Sequence, residues 1–180
     1  MNEEQENQQR EEQEAGKAGG YAVTVPRVAG LALGRTIPAG MLAGVIGGAG
    51  QALFMMLMAV VMGGTLWGPI KGISTMILGT APLQPPAFQA GPVLVGAILH
   101  LAIMALLGGL FGVIVGAIGA GLSVILGAAY GLVVWLLSQF VFWPLVQPDT
   151  AAMINTGVAV VALLIYGLLL GLLYPGFRHS

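Results

Sequence analysis

Three strongly polar side chains stand inside stretches of sequence otherwise suited to oil: Gln51, His100 and Gln139. His100 is the only histidine, lysine, arginine or carboxylate in the four long apolar runs of the chain. Ionisable groups placed in such runs are costly, which makes each a candidate site. Imidazole is the commonest metal donor, so His100 is a candidate ligand for a haem, a chlorin or a metal ion. It is equally a candidate for a neutral structural histidine held by Gln51 and Gln139, through bonds worth about 0.6 kcal/mol each. Passage of a proton or solute is the third reading. At about 1.5 Å per residue, His100 falls about 12 Å along its helix from Pro92. Gln51 and Gln139 fall at comparable or slightly greater depth, so the three converge in one polar cluster. A proton pump needs a chain of titratable groups, and no Asp or Glu lies in any run.

A second candidate set is softer. The run FMMLMAVVM places Met55, Met58 and Met62 on one helical face, and thioethers suit Cu(I). Met58 and Met62 form an MxxxM pair that resembles the pair of the copper-transporter family, a likeness confined to that pair and to glycine-rich helices. Methionine is also an adaptable packing residue. Catalytic residues are not expected: no metalloprotease helix, nucleophile elbow, phosphate loop or pair of carboxylates inside an apolar run appears. Asp149 sits in a turn sequence and His179 at the end of the chain. No basic patch for nucleic acid is present. Cysteine is absent, which removes disulfides and thiolate ligands together.

The elements that must position these residues follow from composition. The chain has 180 residues, 57% hydrophobic and 7% charged, with a mean hydropathy of +0.93. A soluble domain carries about 25% charged residues, so the sequence reads as an integral membrane protein. Six of its seven acids, Glu3, Glu4, Glu6, Glu11, Glu12 and Glu14, lie near the start. Residues 1–36 are therefore expected to be a disordered acidic cytoplasmic tail with a juxtamembrane segment. They lack the pattern of a signal peptide.

A spanning helix needs about 20 apolar residues. Four runs qualify within a transmembrane domain of residues 37–175, at about 38–62, 92–118, 122–146 and 152–174, leaving 176–180 as a C-terminal tail. The fold class expected is an all-α membrane protein, a bundle of four transmembrane helices. Pro38 and Pro92 suit first helical turns. Only Gly119, Ala120 and Gly121 separate the second and third runs, which predicts a tight antiparallel hairpin. Residues 63–91 begin with GTLWGPIKGISTMILG, too apolar for an ordinary loop and too interrupted for a span. They predict a short interfacial or re-entrant helix between the first two spans, followed by a proline-stiffened return.

Positions 96, 100, 104, 108, 112, 116 and 120 form a ridge at spacing four, with glycine at 96, 108, 112 and 116. Small residues at that spacing let helix backbones approach where there is no water to expel. The same feature recurs at Gly40, Gly44 and Gly48, at Gly127 and Gly131, and at Gly167 and Gly171. These glycines are expected to pack helices, within one bundle or against a second copy. A faint internal echo pairs GAGQALFMM with GAAYGLVVW, and the glycines at 108 and 112 with those at 167 and 171.

Arg10, Lys17, Arg27, Arg35 and Arg178 share one side of a four-span topology, against Lys71 alone on the other. Both termini are therefore expected in the cytoplasm. Trp67, Phe142 and Trp143 fall near the outer boundary and Tyr174 near the inner one, as an aromatic belt would place them.

With GGTLWGPIKGISTMILG, GPVLVGAILHLAIMALLGGLFG and AAYGLVVW, the chain resembles small four-span bacterial inner-membrane proteins over residues 38–175. That resemblance implies architecture, since no activity is established for the group. Two functions are expected. The first is a non-enzymatic subunit that assembles with other membrane proteins or itself through glycine-rich faces, with a pigment or haem at His100 in one form of this reading. The second is a small homo-oligomeric carrier or channel for an ion, metal or uncharged solute.

Overall fold

The computed structural model describes residues 27–116, 118–146 and 155–179. Residues 32–180 form one compact unit, and the description concerns that unit. The expected tail over 1–36 lies mostly outside the described residues, although helix already begins at Arg27. The elements are α1 (Arg27–Val61), α2 (Gly68–Leu78), a short 3-10 turn (Ala81–Leu83), α3 (Ala90–Val115), α4 (Ala120–Leu137) and α5 (Thr156–His179). A π turn over Ser138–Phe142 and a last turn over Trp143–Val146 prolong α4. No strand occurs among the described residues.

Four of these helices are long and apolar enough to cross a membrane: Gly34–Val61, Ala90–Val115, Ala120–Val146 and Thr156–Arg178. Their outward faces carry Leu53, Ile98, Leu106 and Ile125, each more than half exposed. Such a surface suits hydrocarbon and not water.

Two seams hold the bundle. Along the first, a Cβ added to Gly40 would strike the backbone of Gly108, one on Gly44 the backbone of Met104, and one on Gly112 the carbonyl of Thr36. Residue numbers rise on α1 as they fall on α3, so the pair is antiparallel. Along the second, Gly127 meets Gly167, Gly131 meets Leu163, and Gly171 meets Ser123. These contacts join α4 and α5 in the same antiparallel sense. Every contact of the first seam has its counterpart in the second at a constant shift along both helices. That register matches the glycine pairs 108 and 112 with 167 and 171, and differs from the GAGQALFMM–GAAYGLVVW echo, which would align Gly48 with Gly127. The seams place Gly40 there, two helical turns earlier.

Tyrosines tie the two pairs together. Tyr166 and Tyr174 of α5 donate to Met104 O at 2.9 Å and to Gly116 O at 2.7 Å. Tyr174 also lies 3.3 Å from Gly112 O. Because 166 and 174 match 104 and 112 in spacing, α5 runs parallel to α3. Tyr130 of α4 donates to Leu107 O at 2.8 Å, and its ring lies 5.3 Å from that of Phe111. The core around them includes Ala39, Ala43, Phe111, Val115 and Leu170.

α3 and α4 have the shortest link and meet through Tyr130, because the small residues of each are spent on another partner. Several expectations need correction. Gly116 does not continue the packing ridge. It ends α3 with a φ of +54°, a left-handed conformation that glycine adopts at little cost, and a Cβ there would meet nothing. Pro38 does not open α1 but lies inside it. Tyr174 is fully buried and belongs to the core, not to an exposed belt. Residues 176–179 are helical, and Arg178 donates to Gly116 O and Ile118 O at 3.0 and 3.1 Å. It caps carbonyls that the turn after α3 leaves open.

The segment between α1 and α3 contains the short helix α2, with a proline in its first turn and Gly79 at its C-terminal end. α2 lies against α3 where Gly96 has no side chain, and a Cβ on Gly96 would strike Ile70 O. Gly96 thus packs against the connector and not against another span.

Candidate functional site

Beside α2 the helices leave a cavity of about 1050 Å³, partly open on one side. Met55 of α1, Met62 just beyond its end, Met76 of α2, Leu107 of α3, Val134 of α4 and Leu163 of α5 line it. The polar side chains on its wall are Gln51, Thr65, His100, Ser138 and Asn155, and no charged side chain lines it among the described residues. The seams explain its position. Glycine holds α1 to α3 and α4 to α5 toward the end where Arg178 sits, and toward the other end α2 and its bulky neighbours keep the two pairs apart.

His100 is buried, with 4% of its surface exposed. Its Nε2 lies 3.0 Å from Gly48 O, and since a carbonyl only accepts, Nε2–H donates. In the neutral ring this leaves Nδ1 as an acceptor. Glycine at 48 makes the approach feasible, because a Cβ there would lie 2.6 Å from the Met104 side chain and 3.7 Å from Nε2. The His100 partner is therefore a main-chain carbonyl and neither glutamine.

Gln51, one helical turn beyond Gly48, is 9% exposed and lines the same cavity. Its Oε1 is buried with no hydrogen-bond partner among the described residues. Buried polar atoms are nearly always paired, so such an atom calls for an explanation. Gln139 does not join Gln51 and His100 on the cavity wall. It lies in the π turn, whose extra residue shifts the helical phase, and Ser138 faces the cavity instead, its Oγ donating to Trp135 O at 3.1 Å. The π turn immediately precedes Pro144, whose ring cannot sit under a regular α-helical carbonyl.

Of the methionine set, Met55 and Met62 line the cavity together with Met76, and Met58 does not. No group of three or more His, Cys, Asp or Glu side chains placed to hold a metal occurs among the described residues. A haem or chlorin taken by Nε2 of His100 would have to displace its bond to Gly48 O.

Sequence reasoning treated Lys71 only as a charge for counting. The structure buries it to 1% exposure on α2, where Nζ donates to Pro85 O at 2.6 Å and to Ala87 O at 3.1 Å. Ser74 and Thr75, also buried, return their hydroxyls to Lys71 O and Gly72 O. Proline lacks an amide proton, so the PLQPPA return offers more carbonyls than it has donors to satisfy them. That imbalance is the signal for an outside donor, and Lys71 supplies it. Trp67 packs on Phe88 with ring centres 4.9 Å apart, joining the start of α2 to the return segment.

Compared with known proteins, the chain matches no family model, no curated protein and no solved structure.

Proposed function

We propose that this is a multi-pass membrane protein that takes an uncharged, largely apolar molecule from the bilayer into the cavity beside α2. It acts as a binding protein or carrier, without covalent chemistry. The observation that supports this best is the cavity itself, about 1050 Å³ with apolar walls and no charged lining residue among those described. Largely apolar walls with no charged side chain among the described residues suit an apolar molecule better than a charged one. The volume is at the upper end of small-molecule sites, about 300–1,000 Å³.

Assembly through glycine faces has less support, because the seams at Gly40, Gly44, Gly108, Gly112, Gly127, Gly131, Gly167 and Gly171 are filled within the chain. Arg35 and Arg178 lie at the same end of the bundle, while Lys71 is spent on the connector at the other. This distribution favours cytoplasmic termini, in the inner membrane of a bacterium.

An environment-sensitive apolar dye, diphenylhexatriene, tests the reading in nanodiscs of saturated lipid. Saturable binding at one site per chain, lost in Ala52→Phe with the melting temperature kept, is the expected result. Dye uptake equal to that of empty nanodiscs would refute it.

A further inference from the structure

We propose that residues 62–89 are an insert in the first of two repeated helical hairpins, and that one edge of this insert, formed by Pro69, Gly72, Ile73 and Met76, selects apolar molecules by their width. The selection rests on the cavity reading above and adds the element that decides what the cavity takes. The repeat holds wherever the two seams can be compared. Gly40, Gly44, Gly108 and Gly112 correspond to Gly127, Gly131, Gly167 and Gly171, and Thr36, whose carbonyl faces Gly112, corresponds to Ser123, whose carbonyl faces Gly171. Gly108 follows Gly40 by 68 positions, whereas Gly167 follows Gly127 by 40. The first hairpin is therefore longer by 28 positions, the number of residues between Val61, the last of α1, and Ala90, the first of α3.

The insert ties itself together through the bonds of Lys71 Nζ to Pro85 O and Ala87 O and through the Trp67–Phe88 ring contact. Its helix α2 has two unlike edges. Lys71, Ser74 and Thr75 are buried on one. Pro69, Gly72, Ile73 and Met76, which recur at helical spacing and so share the other, all line the cavity. None of these four carries a charge or a side-chain hydrogen-bond donor, so the edge can discriminate only by shape. Glycine at 72 leaves a recess in it: an added Cβ would meet nothing within 4 Å, while Pro69, Ile73 and Met76 around it carry bulk. Such a recess accommodates the broad part of a flat or fused-ring hydrocarbon, and a thin rod or chain does not need it.

The test compares two fluorescent hydrocarbons, rod-like diphenylhexatriene and broad perylene, in nanodiscs of saturated lipid holding the full chain. Gly72→Leu fills the recess and keeps the fold, since the added atoms enter open space and leucine suits a helix better than glycine. It is expected to weaken perylene at least about fivefold while changing diphenylhexatriene by less than about twofold. Ile77→Phe, on an exposed position of α2 that does not line the cavity, should leave both unchanged. The insert itself is tested by replacing residues 60–96 with a copy of 147–155, the stretch that the shift between the hairpins aligns with them. The graft should keep a cooperative unfolding transition in SDS mixed micelles and lose saturable binding of both dyes. Equal effects of Gly72→Leu on the two dyes, or perylene that fails to bind the unaltered protein, would overturn selection at this edge and leave the cavity reading intact. A graft that still binds dye at one site per chain, or that lacks a cooperative transition, would overturn the insert. Absence of saturable binding of either dye to the unaltered protein would overturn the cavity reading as well.

Discussion

His100 donates from Nε2 to Gly48 O across the first glycine seam, at 3.0 Å. The bond joins α1 to α3 at the level where the close seam gives way to the cavity, and it fixes which ring nitrogen remains available. Because Nε2 is engaged, added haemin should give the same visible spectrum with the unaltered protein and with His100→Ala. A Soret shift present only when His100 is there would show that the ring leaves Gly48 to ligate iron.

The seams make a sharper prediction about stability. Gly108→Ala and Gly167→Ala each force a methyl group into a facing backbone, and overpacking of this kind costs about 1–3 kcal/mol. Gly121→Ala, near the start of α4, meets nothing within 4 Å and should be neutral or slightly stabilising. Unfolding in mixed micelles with rising SDS fraction separates the two classes; equal midpoints for all three variants would contradict the seam geometry.

Tyr166 links the two helix pairs through Met104 O. Interhelical hydrogen bonds in membrane proteins average about 0.6 kcal/mol, with about 1.7 as an upper value. Tyr166→Phe keeps the ring and loses the bond, so it should lower stability within that range. A loss much above it would mean that the hydroxyl does more than bridge α5 to α3.

Lys71→Met removes the donor that serves Pro85 O and Ala87 O. Hydrogen–deuterium exchange should then rise at residues 83–89 and in α2, whose packing the clamp supports, while the seam segments of α3 and α5 keep their protection. Unchanged exchange over the connector would show that the clamp does not order it.

The sequence reading reached furthest where a property is local. Four spans could be read because 20 apolar residues in a row have few alternatives, and their limits fall within a few residues of the helices seen, except at α1, where Pro38 looked like a first-turn proline. The short helix of the connector was readable from apolar residues broken by Gly68, Pro69 and Lys71. What could not be read depends on which helix meets which. Spacing shows that Gly40, Gly108, Gly127 and Gly167 allow close approach, but not that the pairs are α1 with α3 and α4 with α5. The same gap explains Gln139: equal depth along a span says nothing of direction around it, and the π turn before Pro144 altered that direction. His100 and Gln51 were singled out by type alone. Their common cavity emerges only when glycine seams at one end and α2 at the other have set the distances between helices.

The account's central claim is that the cavity holds an apolar molecule from the membrane. Native mass spectrometry of the full chain, released from a mild detergent, tests it most directly. The expected result is one adduct of lipid mass per chain on the unaltered protein, retained at collision energies that strip detergent and absent from Ala52→Phe. Bare protein in both cases, or the same adducts on both, would contradict the claim.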